Sequence, residues 1–202
     1  AQDPKVDHKT KEKAINKLVD IAQNPKVDQK TKEEAINGLG DIAQDPKVDH
    51  KTKEKAINKL GDIITRNPKV DQETKDFVIR QLGMIAKSND MYSQKIALQK
   101  LSEIAQRDIF TLKKKTTTIE SVVSTLKDVA QMYPHSVKKT LEFLARNIQD
   151  GKTDQDIKDN ETVSKLLKFI NSAITYIDKK YPNAKDIESK NIKENNKKNI
   201  YF

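Results

Sequence analysis

Over the first hundred residues, apolar positions recur at spacings of three and four, break off, and begin again. In the first run Ala14, Ile15, Leu18, Ile21 and Ala22 make one stripe on a helix of 3.6 residues per turn. Lys9, Lys11, Glu12, Lys13 and Lys17 fall on the rest of its circumference, where solvent is expected. The pattern returns every 21 residues. Residues 1–21 and 43–63 agree at 20 of 21 positions, and residues 1–21 and 22–42 at 16. A fourth copy covers 67–85 after one inserted residue, and a fifth, at 89–104, has lost the proline. Self-similarity at a fixed period signals a repeat architecture.

Each copy predicts one turn and one helix. The dipeptides Asp3-Pro4, Asn24-Pro25, Asp45-Pro46 and Asn67-Pro68 mark the breaks, because proline disfavours helix in the residue before it. Val6, Val27, Val48 and Val70 follow and are expected against the core. Asp7, Asp28, Asp49 and Asp71 come next as N-caps, whose carboxylates accept from the first free amides of a helix of about 15 residues. A lone amphipathic helix of four turns is marginal in water. Identical neighbours hide its stripe by stacking in series. A period of 21 is also three heptads, but a proline in every period, at about 3 kcal/mol each inside a helix, excludes a continuous coiled coil. Gly40, Gly61 and Gly83 occupy one repeat position, where glycine costs a helix about 1 kcal/mol against alanine. Close approach of the next helix is the expected reason.

Beyond residue 105 the repeats diverge and helices continue. Residues 117–133 carry Ile119, Val122, Val123, Leu126, Val129 and Ala130 on one face, with Thr117 and Glu120 spaced as a capping box. Pro134 ends that run and opens another, with Val137, Leu141, Leu144 and Ile148. Residues 150–156 read as a polar loop. Residues 160–181 form the longest run, stopped by Pro182, and the tail is expected either to form one more helix around 187–192 or to fray. No segment alternates with a period of two. The expectation is eight or nine helices and no sheet: an all-α solenoid of stacked helix–loop–helix repeats, crescent or superhelical. Tandem repeats fill 1–104, and 105–202 continues the array in divergent or capping form. Two 21-residue segments make a pair of about 42, the length of HEAT and armadillo repeats.

Composition supports a thin, shared core, with 35% hydrophobic against 34% charged residues. No apolar run approaches the roughly 18 residues of a membrane span, and no signal peptide stands at Ala1. Ala1-Gln2 aligns with Ala22-Gln23 and Ala43-Gln44 at helix ends, so the chain is expected to be a piece of a longer protein.

Catalytic chemistry finds no foothold in the pattern. His8 and His50 share a repeat position with Gln29 and Gln72, which suits neither a ligand nor a base. His135 has no partner at metal-ligand spacing. Carboxylates recur with caps and wet faces, and no pair is set in unlike surroundings. No phosphate-binding glycine loop occurs. The expectation is a non-enzyme with no cofactor and no metal site. The net charge of +9 admits nucleic acid, but acidic residues are interspersed. Residues 1–104 carry 20 basic and 17 acidic side chains, and 105–202 carry 19 and 13. The one tight basic run is Lys113-Lys114-Lys115, and aromatics, at 5%, form no stacking ladder. Protein binding leads, ahead of nucleic acid or a passive antigenic spacer. The lysines repeated on helices, Lys11, Lys32 and Lys53, with Lys113, Lys114 and Lys115, are the expected partner contacts.

The phrase Asp-Pro-x-Val-Asp, followed by Ala-Ile-x-x-Leu-Gly-Asp-Ile, resembles the first helix of HEAT-like repeats across residues 3–85. The Lys/Asn-rich wording and near-perfect duplication also resemble rickettsial surface antigens. Among those the chain is similar to the helical repeat region of the formin-like, actin-assembling surface cell antigens, which are autotransporters. That resemblance implies a crescent of helix–loop–helix repeats displayed at the bacterial surface and acting in host actin nucleation and elongation. It carries over no individual actin contact.

Overall fold

The computed structural model describes residues 7–67, 69–110, 116–149 and 161–199. Among these are nine helices and no strand: α1 His8–Gln23, α2 Gln29–Gln44, α3 His50–Arg66, α4 Gln72–Ala86, α5 Met91–Phe110, α6 Thr117–Val129, α7 Pro134–Gln149, α8 Glu161–Lys180 and α9 Ala184–Asn199. The fold is all-α and built from stacked, solenoid-like helices. It divides into two compact units, Ala1–Leu101 and Ser102–Phe202, so the change falls three residues before the end of the fifth sequence repeat. The loop expected at 150–156 and the run Lys113–Lys115 lie outside the described residues.

In unit 1 the repeated turn is written into the sequence. The side chain of Asn24 accepts from the Lys26 amide at 2.9 Å, and its carbonyl accepts from Val27 at 3.2 Å. Asp45 and Asn67 do the same for Lys47 and Val48, and for Lys69 and Val70. Pro25 and Pro46 stand second in these turns, where their fixed φ is already right. Val48 and Val70 are buried and Val27 is partly so. Each helix then starts on its aspartate. Asp7, Asp28, Asp49 and Asp71 accept from the amides of Thr10, Thr31, Thr52 and Thr74, at 3.0, 3.0, 2.9 and 2.7 Å. Such a cap contributes about 1 kcal/mol.

Each helix packs on the next and on the next but one: α1 on α2 and α3, α2 on α3 and α4, and α3 on α4. Ile36, Leu39, Ile57, Leu60, Ile79, Leu82 and Leu101 are fully buried between them. The repeated glycine serves the helix two places on. A Cβ on Gly40 would stand 2.6 Å from Oε1 of Gln81 in α4, and one on Gly61 would stand 3.0 Å from Cδ of Lys100 in α5. The close approach expected of the neighbouring helix is thus made by a long side chain of the next-but-one helix.

Unit 2 packs α6 against α7 and α8, and α7 against α8 and α9. Its core holds Val122, Leu126, Val137, Leu141, Leu144, Leu166, Ile170 and Ile177. Pro134 opens α7, where a missing N–H is harmless. The N-cap position of α6 is Thr116, one residue before the Thr117 expected to open the capping box, and the Thr116 hydroxyl donates to Glu120 at 2.6 Å. Thr116 has helical backbone angles and its side chain makes no cap. The last helix runs well past the expected 187–192 in both directions.

Candidate interaction surface

Of the lysines expected as partner contacts, Lys113, Lys114 and Lys115 lie outside the described residues, and Lys11, Lys32 and Lys53 are largely buried. Lys11 is 7% exposed and Lys53 4%, and the Lys32 side chain is 11% exposed. Each lies on the helix face turned to the next-but-one helix and meets that helix's N-cap: Lys11 with Asp49 at 3.6 Å, Lys32 with Asp71 at 2.9 Å, Lys53 with Asp90 at 2.7 Å. Their burial has a physical cause. A lysine four residues after its own cap lies beside the stripe, where its methylene stem packs on the neighbour and its ammonium reaches the neighbour's helix end. That end carries partial positive charge, and the capping carboxylate between dipole and ammonium satisfies both. Burial alone opposes ionisation of Asp71, but the Lys32 hydrogen bond, the bonds from Thr74 and the Lys32 charge together lower its carboxyl from 3.8 to about 2. Burial likewise works against Asp90, and Lys53 and Ser93 still hold its carboxyl below the usual range. These are structural ion pairs.

Further polar stitches follow the same two-helix step. Thr74 donates to Gln29 at 3.2 Å, Gln81 donates to Asn37 at 2.6 Å, Lys55 pairs with Glu12, and the Tyr92 hydroxyl donates to Glu54. A pocket of about 300 Å3 between the turns, lined by Ala22, Gln23, Pro25, Lys32, Val70 and Asp71, already holds one of the ion pairs. Among the described residues no group of three His, Cys, Asp or Glu is placed to hold a metal ion. His50 stacks at a tilt on Tyr92, ring centres 4.8 Å apart, and the His8 side chain lies outside the described residues.

What stands out on the surface is the outer ridge of α4. Positions 77, 80 and 84 follow one another at helical spacing, with Arg80 and Met84 exposed and Phe77 half-buried. In α1 these places hold Lys13, Asn16 and Asp20, in α2 Glu34, Asn37 and Asp41, and in α3 Lys55, Asn58 and Asp62. In α4 they hold Phe77, Arg80 and Met84. Met84 is 51% exposed, and the Arg80 guanidinium lies over the Phe77 ring at 5.1 Å. Three sister helices stack with polar side chains at this register, among them Asn37 and Lys55, which bond to the helix two places away. Aromatic, Met and Arg side chains are the types enriched at protein interfaces. The signal is present in the sequence as a change of residue class at one repeat register.

Unit 2 has exposed aromatics of its own: Phe143 on α7, and Phe169 and Tyr176 on α8. Lys127 and Lys180 lie over the Tyr176 ring at 4.9 and 5.2 Å. No described helix is long and apolar enough to cross a membrane.

No family model matches the sequence, and no curated protein does. Among solved structures, the crystal structure of an engineered protein from a structural-genomics consortium is similar over 84% of this chain and 94% of its own. The identity is 17% and the TM-score 0.26, a likeness that carries no argument.

Proposed function

We propose that this chain is a non-enzymatic, protein-binding helical repeat module of a larger bacterial surface protein, and that the outer ridge of α4 contacts the partner. One observation supports this above the rest. In the fourth copy of the repeat, three positions that are polar in the first three copies hold Phe77, Arg80 and Met84, of which Arg80 and Met84 are exposed and Phe77 is half-buried. Exposed apolar side chains on a repeat scaffold gain nothing for folding and favour association. Host actin is the partner implied by the sequence resemblance, and the contact moves from the buried lysines to this ridge.

The test is co-sedimentation with actin filaments, with pyrene-actin assembly alongside. The native chain is expected to pellet with filaments or to change their assembly. Phe77→Ser with Met84→Ser is expected to weaken binding about tenfold or more, the effect of losing a central apolar anchor. Lys11→Gln, which removes a structural ion pair, is expected to leave affinity alone while lowering thermal stability. A native chain with no effect on filaments removes actin. An affinity insensitive to the ridge variant removes the ridge. Binding to nucleic acid with a steep salt dependence would replace the whole reading.

A further inference from the structure

Helices α1 and α3 have nearly the same sequence and different surroundings. In α3 the side chains Thr52, Ala56, Leu60 and Ile63 are buried, the last three completely. Their counterparts Thr10, Ala14, Leu18 and Ile21 are exposed or partly exposed. Helices α2 and α4 differ in the same sense at the capping threonine, with Thr31 partly exposed and Thr74 fully buried. The covered face of α3 packs on α1, and that of α4 on α2. The face open on the α1–α2 end is therefore the one that, a repeat pair later, is closed by a repeat pair.

The charges agree with the packing. Asp49, Asp71 and Asp90 each receive a lysine from two helices back. Asp7 and Asp28 are held by Thr10 and Thr31, with no lysine of that kind among the described residues. The face thus offers an apolar stripe flanked by two capping carboxylates that, among the described residues, receive no lysine of the kind that meets Asp49, Asp71 and Asp90.

We infer that the α1–α2 end of unit 1 is a stacking face whose occupant is a further helical repeat pair of this chain's own pattern, set in line with α1 as α1–α2 is set in line with α3–α4. Only such a pair brings both features in register: an apolar stripe for Ala14, Leu18 and Ile21, and lysines 21 residues apart for Asp7 and Asp28. The inference is independent of the α4 ridge.

The experiment joins a second copy of residues 1–42 ahead of Ala1 in the full chain and follows hydrogen exchange and the carboxyl titrations by NMR. In the extended chain, α1 amides are expected to slow to the rate of their α3 counterparts, and the Asp7 carboxyl to titrate lower than in the parent. Leu18→Lys in the extended chain is expected to abolish both changes. In the parent it should be tolerated, because Leu18 is partly exposed there. Unchanged α1 exchange and Asp7 titration in the extended chain overturn the inference. Self-association of the parent in sedimentation, abolished by Leu18→Lys, overturns it too, since a second copy would then occupy the face.

Discussion

The two units fasten their helix ends with opposite kinds of chemistry. In unit 1 each N-terminus is capped by an aspartate from its own turn, and at α3, α4 and α5 a lysine from two helices back closes over that cap. In unit 2 the start of α7 has no such local residue. Glu188, 52 residues away on α9, accepts from the Ser136 amide at 2.8 Å and from the Ser136 hydroxyl. Lys138 bridges to Asp178 of α8 at 2.5 Å, and Asn191 donates to the Met132 carbonyl at 2.9 Å. Both units tie a helix to the next but one. The first does it with a motif that duplication copies whole, and the second with single residues that had to meet in space. A duplicated cap comes with its own counter-ion, so repeats can multiply without redesign.

The comparison breaks most sharply in the core. Leu60→Ala empties a fully buried site and is expected to cost about 2–5 kcal/mol in urea unfolding. Leu18→Ala, the same residue in the same phrase at the open face, should cost well under half of that. Equal losses would mean that the two faces are covered alike.

The caps come next. Asp71→Ala removes a cap and strands the largely buried Lys32, so a loss of about 1–2 kcal/mol is expected. In unit 2, Glu188→Ala should cost about 1 kcal/mol through the α7 end alone. The comparison fails if Asp71→Ala proves the milder of the two.

The pH dependence of Asp71 sharpens the same point. Its folded carboxyl titrates at about 2, below the ordinary 3.8. A lowered folded value means stability that is complete above about pH 4 and lost as pH falls through 2. The gap in melting temperature between the native chain and Asp71→Asn should be widest at neutral pH and close between pH 4 and 2. A gap that persists at pH 2 would assign the effect to shape instead of charge.

The smallest effect separates two glycines. A Cβ on Gly38 would make ordinary contact with Leu18 at 3.4 Å, so Gly38→Ala should stabilise by about 0.5–1 kcal/mol. Gly40→Ala should gain nothing, because its Cβ would displace Gln81 from the pocket where it bonds Asn37.

Much of unit 1 was legible because its determinants are local. The Asn/Asp-Pro turn, the aspartate cap and the stripe all act within one 21-residue phrase, so reading one phrase reads four. The burial of Lys11, Lys32 and Lys53 was not legible, for the complementary reason. Polarity describes a residue in water, and these lysines are taken out of water by a helix nearly forty residues on. The α4 ridge was visible as a change of residue class at one register, but its exposure needed the stack to be built. In unit 2 the helices followed from periodicity, and the end-fastening by Glu188, Asp178 and Asn191 did not, since nothing near those residues announces their partners.

By itself the sequence determined the helices, their breaks and their caps, and that they must stack, because a turn and a cap are settled by neighbouring atoms along the chain. The tertiary structure alone decided which helix meets which, so it alone distinguished a buried lysine from a wet one and a covered leucine from an open one in identical words. Burial is a property of the space around a residue, and identical phrases at the end and in the middle of a stack do not share that space.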